Sequence, residues 1–404
     1  MAEAFKYISN GRMYEYCDGG VRELGSGILE SYKTKIKDSA ERNEWKYTGT
    51  GAAFTGTFRP GASADDAVMA VWSSVSCVGE HRGDLIYALD IDNTNGIYRK
   101  PKDSKEEGIV LCSSNIAYRD FDIRGDMMAV SSSFAGESNI GVMNLVSKKT
   151  LTYTEGHTLD ITPVWSRVST DKIYFCSIGL AESNMPRRED YSTPMGRAQM
   201  LSNVYAGIES AAARGPAAIC LLDVLRGTLE DVLADGKYDY THPASTRDGS
   251  LYYIRKPYGQ SSGSGGLGCL VDIVMFPVRL VGAFLGFLNV FSAKYSGKTL
   301  SRSDVKSRDE KQLFIDGNLI NAERELKKNA KRGEKHPGII PRSWELRRLS
   351  ANGEDTLVRA GVTAFRVDDA TGDILFSNGS AIIKRDKDGK EEKILSADGV
   401  TFIV

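Results

Sequence analysis

Apolar and polar positions alternate in short runs along most of the 404 residues, with Gly, Asn and Asp at the breaks. A period of two is that of half-buried β-strands, so an all-β fold is expected. The last six residues, GVTFIV, follow the pattern. Val400, Phe402 and Val404 alternate with Thr401 and Ile403, and a strand of this kind needs a partner.

The partner follows from a repeat. Residues 7–24 (YISNGRMYEYCDGGVREL) and 375–395 (LFSNGSAIIKRDKDGKEEKIL) both read as strand, Ser-Asn-Gly turn, strand, charged glycine turn, strand. Asn-Gly supplies the positive φ angles that tight hairpins need. A further strand and turn, VTAFRVDDATGD, precedes the second copy, whereas the first copy has almost nothing before it. Residues Thr401–Ile403 are therefore expected to pair with the strand around Phe5–Ser9. Similar units span residues 116–156 and begin at residues 161 and 240, and a less regular one occupies 50–115, which makes six with the shared one. Radial stacking of four-stranded units hides strand edges. The expectation is a six-bladed β-propeller closed by its C-terminal and N-terminal strands, forming a single domain over 1–404. A sandwich predicts neither the repeat nor complementary termini.

Three segments depart from the strand pattern. Residues 26–45 place Ile28, Leu29, Tyr32, Ile36 and Ala40 on one helical face, and 182–215 hold a second helical stretch inside a hairpin. The largest, 257–341, interrupts the fifth unit.

The stretches PVWSRVSTDKIYF and HPASTRDGSLYYI resemble the repeat of TolB-like six-bladed propellers, PxWSxDGxxIxF. Pro163, Trp165, Ser166, Ile173 and Phe175 match in the first, where the turn is longer and Asp171 is displaced. Pro243, Asp248 and Gly249 match in the second, with Ser245 in place of the tryptophan and the apolar Ile254 at the phenylalanine position. The resemblance implies an architecture in which Asp-Gly turns the first two strands of a blade and the aromatic packs between blades. In that family such repeats occur in binding proteins and in the propeller half of prolyl-oligopeptidase-type hydrolases. No hydrolase domain is expected, because the chain leaves no room for one beside the repeats.

A net charge of −1 gives no basic footprint for nucleic acid, so no nucleic-acid partner is expected. The start, MAEAFKYISNGRMYEY, has neither the basic nor the apolar region of a secretory signal, so a cytoplasmic protein is expected. The six cysteines stand singly and read as small buried hydrophobes. GSGGLG at 263–268 sits in a Ser-Gly linker with no strand before it, and SGKT at 296–299 has Ser292 where a phosphate loop needs glycine. DIDNTNG at 90–96 has its glycine one place late for a calcium loop and Pro101 where the bidentate glutamate belongs, so it reads as an Asn95-Gly96 hairpin turn. No cofactor and no metal is expected.

His157, Asp160, Tyr240, His242 and Arg247 fall around first strands of repeats and are the candidates for a ligand site at the channel mouth. Hydrogen bonding at turns and strand ends is the competing role for each of them, and no catalytic triad can be assigned. The most distinctive sequence is LGCLVDIVMFPVRLVGAFLGFLNVFS, 267–292, which is apolar and divided by Pro277. A crossing of the bilayer is excluded if both flanks belong to one blade; a broken helix in an interface or a re-entrant hairpin fits. Residues 294–348 carry fifteen Lys or Arg against eight Asp or Glu. Leu270, Ile273, Phe276, Leu280, Phe284, Phe287 and Phe291, with Lys294, Lys298 and Arg302, are therefore the expected docking residues. They would meet an anionic membrane surface, a protein partner or a second copy of the chain. The expected function is a non-catalytic binding or scaffolding propeller; the alternative is a hydrolase or lyase with its site at the central channel.

Overall fold

The computed structural model describes residues 4–44, 63–180, 214–259 and 312–404, except positions 93, 105, 316 and 317. Among these residues the chain is mostly β, folded into several antiparallel sheets. In chain order, β1 (Ala4–Ser9), β2 (Arg12–Cys17) and β3 (Gly20–Glu23) lead to α1 (Gly27–Asn43) and α2 (Ala64–Met69). Next come β4 (Ser73–His81), β5 (Asp84–Ile91), β6 (Thr94–Lys100) and β7 (Gly108–Ser113). Then follow β8 (Ala117–Arg124), β9 (Met127–Phe134), β10 (Glu137–Asn144) and β11 (Thr150–Thr152). The fourth set is β12 (Thr158–Trp165), β13 (Lys172–Leu180), β14 (Arg214–Asp223) and β15 (Thr228–Leu233). The fifth begins with β16 (Tyr238–Ser245) and β17 (Leu251–Pro257). After β18 (Gln312–Ile315), β19 (Asn318–Asn321) and α3 (Ala322–Lys331), it ends with β20 (Glu345–Leu349) and β21 (Asp355–Ala360). Last are β22 (Ala364–Val367), β23 (Ile374–Ser377), β24 (Ala381–Arg385), β25 (Glu391–Ser396) and β26 (Val400–Ile403).

Strand β26 pairs with β1, as the repeat predicts: Tyr7 faces Ile403, Ile8 faces Phe402 and Ser9 faces Val400. The first sheet is thus β26-β1-β2-β3, and the other sets keep chain order within their sheets; the third and fourth are joined by one parallel pairing, Ser138 with Leu159. The leading strands touch in sequence: β4 with β8, β8 with β12, β12 with β16, β16 with β22, β22 with β26, and β26 with β4. Apolar clusters join each sheet to the next. Tyr87 and Ile8 unite the second with the first, Phe121 and Ile86 the third with the second, and Trp165, Phe175 and Ile140 the fourth with the third. Tyr253 and Ile219 join the fifth and fourth, Phe376 and Ile254 the sixth and fifth, and Leu375 and Tyr7 the sixth and first. Because both faces of each sheet are covered, single strands carry apolar residues at neighbouring positions as well as alternating ones.

The leading strands β12 and β16 are bulged. Register slips between Ile161 and Val164 in β12 and between Thr241 and Ala244 in β16. There Thr162 (φ 51°) and His242 (φ 54°) precede Pro163 and Pro243. A bulge is where an inner strand tolerates a residue without an N–H, which is the physical content of the proline in the repeat.

Helix α1 occupies the region expected of 26–45. Ser26 caps it, its hydroxyl accepting from Leu29 N at 3.1 Å, and also bonds the Tyr87 hydroxyl at 2.8 Å. Ile28, Leu29 and Tyr32 pack on the cluster between the first two sheets. The helical stretch expected within 182–215 lies outside the described residues, as do GSGGLG, SGKT and all of 267–292. The turn of DIDNTNG differs from expectation. It includes Asp92 (φ 49°), while Asn95 pairs with Asp90 and Gly96 with Leu89 inside the strands. Gly96 is needed there because a Cβ would stand 2.7 Å from the Tyr98 ring and 2.9 Å from the Leu111 carbonyl oxygen. Asp92 accepts from Trp72 N and the Tyr32 hydroxyl, each at 3.0 Å, so its carboxylate ties α1 to the sheet. Cys77, Cys176 and Cys220 are buried as expected, but Cys17 and Cys112 lie on outward-facing stretches and are exposed.

Candidate functional site

Each sheet places a polar residue where its second strand ends against the start of its leading strand. Ser9 faces Val400, Asp90 faces Ser74, Ser132 faces Tyr118, Ser177 faces Asp160, Lys256 faces Asp239, and Ser377 faces Ala364. The long departures from the repeat leave from this same end. The chain from 181 to 213 connects β13 to β14, 258 to 344 connects β17 to β20, and the α1–α2 stretch enters β4. The opposite ends are joined mostly by short turns, such as Arg82-Gly83 and Asp18-Gly19. Loops carried at one end of a rigid sheet framework are where binding groups concentrate.

Two carboxylates and a lysine are buried at this end, with a third carboxylate, that of Asp239, half-buried beside them. Asp160 accepts from the Ser177 hydroxyl at 2.7 Å through Oδ1, and its carbonyl oxygen accepts from the Ser131 hydroxyl of the neighbouring sheet at 2.7 Å. Asp239 accepts from Ala217 N at 2.8 Å; burial pushes its carboxyl pKa up, opposed by that N–H and by Lys256. Lys256 is 4% exposed and its Nζ stands 4.5 Å from the centroid of the Trp344 ring, a cation–π contact. Burial raises the Cys176 thiol far above its ordinary value, so it is no thiolate nucleophile at neutral pH.

Asp90 is 5% exposed, its Oδ1 has no hydrogen-bond partner among the described residues, and Arg119 Nε is 3.8 Å from its Oδ2. Burial raises its pKa against the pull of Arg119. The folded protein therefore holds this proton more tightly than the unfolded chain does. Stability contributed by the protonated group is present at low pH and is lost as pH rises from the ordinary aspartate value, about 3.9, through the raised folded value. Asp90→Asn should raise the melting temperature at pH 7, and the gain should shrink as pH falls through the raised folded value and be lost by about pH 4. Equal melting temperatures at pH 7 would show that the Arg119 pair already compensates the burial.

The residues expected at the channel mouth occupy different settings. His157 is exposed just before β12, with Nδ1 2.5 Å from Glu137 Oε1. Asp160 belongs to the buried polar set. Tyr240 turns into the cluster between the fourth and fifth sheets, its ring 5.6 Å from that of Tyr253. His242 occupies the β16 bulge. Arg247 lies beyond the other end of β16, its N donating to Asp369 Oδ1 at 3.2 Å. The docking residues from Leu270 to Arg302 fall outside the described residues. Motif reading missed Asp239 and Lys256 and set Asp90 aside with the calcium-loop pattern; their common feature is their strand-end register, and aligning each second strand on the Ser-Asn-Gly turns at 9–11 and 377–379 would have found that position. Among the described residues no group of three His, Cys, Asp or Glu is arranged to hold a metal ion. No described helix is long and apolar enough to cross a membrane.

No protein-family model matches the chain, and no curated protein does. Solved structures similar to it include TolB from Acinetobacter baumannii, at 8% identity and a TM-score of 0.48, covering 99% of this chain and 64% of that one. A putative TolB from Agrobacterium tumefaciens is 12% identical with a TM-score of 0.36, covering 65% of this chain and 72% of its own. An oligogalacturonate lyase from Vibrio parahaemolyticus is 11% identical with a TM-score of 0.34, covering 80% and 79% respectively. The chain thus spans less than two thirds of the length of the first of these.

Proposed function

We propose that the six sheets are the blades of a TolB-like β-propeller closed by the β26–β1 pairing, a single domain over 1–404 with insertions at 26–45, 182–215 and 257–341. In this reading the protein is a non-catalytic binding or scaffolding module. It works in the cytoplasm, docking through the 257–341 insertion onto an anionic membrane surface or a protein partner, and it uses no cofactor. The cyclic order of leading-strand contacts and of intersheet clusters supports the architecture. The observation that carries the function is that the long insertions leave the sheets from one end.

The insertion's return is firmly seated. Asn329 in α3 donates to the carbonyl oxygens of Gly338 at 2.8 Å and Ile340 at 3.1 Å, and Ile339 and Ile340 donate to the Asn378 carbonyl at 3.1 and 3.3 Å. From this base Arg324, Lys327, Lys328 and Lys331 line a surface hollow of about 480 Å³. Such a basic helix following an apolar segment suits an anionic surface. A second reading, a hydrolase or lyase at the central channel, is favoured by the burial of Asp90, Asp160 and Lys256, with half-buried Asp239, at one end of the sheets.

Co-sedimentation of the full chain with vesicles tests the docking. Binding to anionic vesicles should weaken with salt and should fall at least tenfold in Phe284→Asp with Phe287→Asp. Binding to neither anionic nor neutral vesicles at low salt removes the membrane arm and leaves a protein surface as the docking target.

A further inference from the structure

We infer that the seam where the insertion's return meets the outer strands of the fifth and sixth sheets is a binding site for a phosphate group. A cleft of about 390 Å³ opens there, lined by Glu334, Lys335, Arg342, Arg359, Arg385 and Glu391. Glu334 takes Arg342 Nη1 at 2.7 Å and Arg359 Nη2 at 3.8 Å. Glu391 takes Arg359 Nε at 2.9 Å and Arg385 Nη1 at 3.0 Å, and its carbonyl oxygen accepts from Lys335 Nζ at 3.3 Å. Four cations thus surround two carboxylates, an excess of two positive charges in one cleft. A phosphate monoester carries about −1.5 to −2 at neutral pH and matches that excess, whereas a monocarboxylate offers half the charge and fewer acceptors.

The donors are held before any ligand arrives. Each guanidinium has five N–H groups, of which the ion pairs use only some, and those pairs fix the planes of the forks. Arg359 is further held over the Phe376 ring, 5.7 Å from its centroid, and Arg385 donates to the Gly389 carbonyl at 3.3 Å. Arg359 Nε is buried and makes no hydrogen bond, although Glu391 lies 2.9 Å away, because the N–H and the carboxylate are not aligned. A buried N–H that its ion-pair partner faces without a hydrogen bond is a place where an added anion gains a bond at little cost in ordering. Lys335 and Arg342 come from the insertion's return, and Arg359 and Arg385 from the sheets, so a bound phosphate would bridge the two.

Calorimetric titration of the full chain with inorganic phosphate at low ionic strength tests the assignment. Saturable binding at one site is expected, together with a phosphate-dependent rise in melting temperature that chloride at equal ionic strength does not reproduce. Lys335→Ala and Arg342→Gln, at the open rim, should fold normally and each weaken binding about tenfold. Vesicles containing a phosphoinositide, beside phosphatidylserine vesicles of equal charge, distinguish the source. Phosphoinositide-selective binding that inorganic phosphate competes away assigns a lipid headgroup; saturable phosphate binding without it assigns a soluble phosphoester. No saturable phosphate binding, or binding equal in the rim variants, overturns the site. Phosphate binding retained in Phe284→Asp with Phe287→Asp, beside loss of vesicle binding in the same variant, would separate this site from the docking reading on which it does not rest.

Discussion

Removing residues 399–404 lowers stability by an amount on the order of 5 kcal/mol, because the deletion takes away a buried strand. Val400 and Ile403 are 1% and 4% exposed, packed with Phe5, Tyr7, Leu375 and Ile382 between the first and sixth sheets. Full burial of one such side chain contributes about 1.5–3 kcal/mol. Backbone pairing goes too: Lys6 N to Val404 O and Val404 N to Lys6 O, each 2.8 Å, and Asn10 N to Gly399 O at 3.1 Å. The truncation also uncovers the edge of β1, whose unpaired N–H and C=O groups invite pairing with another chain. Urea or thermal melts should show the loss, and sedimentation should show association that increases with concentration. An unchanged melting temperature would mean that the first and sixth sheets hold together without this strand.

The fold was legible where the repeat carried a turn. Ser9-Asn10-Gly11 and Ser377-Asn378-Gly379 occupy the same hairpin in their sheets, with Gly11 at φ 72° and Gly379 at φ 87°. From that correspondence the missing leading strand, and hence the β26–β1 pairing, could be deduced. Asp248 shows the same logic at a side chain. It accepts from the Thr246 hydroxyl at 2.6 Å and from Ser250 N at 3.0 Å, with Arg348 Nη2 2.8 Å away. Those bonds, the Thr246 one foremost, draw its pKa down to about 2, so the Asp of the Asp-Gly turn is a structural anion.

The candidate site was less legible because its members share a position and not a residue type. Asp90, Ser177 and Lys256 have different chemistry, and only the pairing register brings them to corresponding places. Histidines drew attention for their chemistry, yet His81 serves a joint between sheets, its Nε2 2.9 Å from Asp126 Oδ1, and His157 pairs with Glu137 in solvent. The basic cleft was hidden for the same reason. Glu334 and Glu391 lie far apart in sequence and meet only through Arg359.

The seating of the insertion's return rests on two glycines, one on each side of a close contact, and Gly379→Ala or Gly338→Ala should release it. A Cβ on Gly379 would stand 2.5 Å from Ile339 Cγ1 and 3.0 Å from Ile340 Cγ1, at a φ of 87° that already disfavours any side chain. A Cβ on Gly338 would stand 2.3 Å from the Asn378 carbonyl oxygen and 2.6 Å from Asn378 Cβ. Asn378 cannot move aside easily, since its backbone N–H bonds Ala381 O at 3.2 Å and its Oδ1 accepts from Ser380 N and Ala381 N at 3.0 Å. Overpacking of this kind costs about 1–3 kcal/mol, and the left-handed backbone adds about 1–2 kcal/mol at Gly379. The two amides that donate to Asn378, those of Ile339 and Ile340, should exchange faster with solvent, and trypsin should cut sooner after Lys331, Arg332 or Lys335. Gly372→Ala is the control: its φ is 76° but no neighbour lies within 4 Å of the added Cβ, so only the backbone cost should appear. Both seat variants strain one contact, so the double variant should lose less than the two single losses together. Unchanged exchange at Ile339 and Ile340 in Gly338→Ala would mean that the return segment is held by α3 through Asn329 and not by the Asn378 turn.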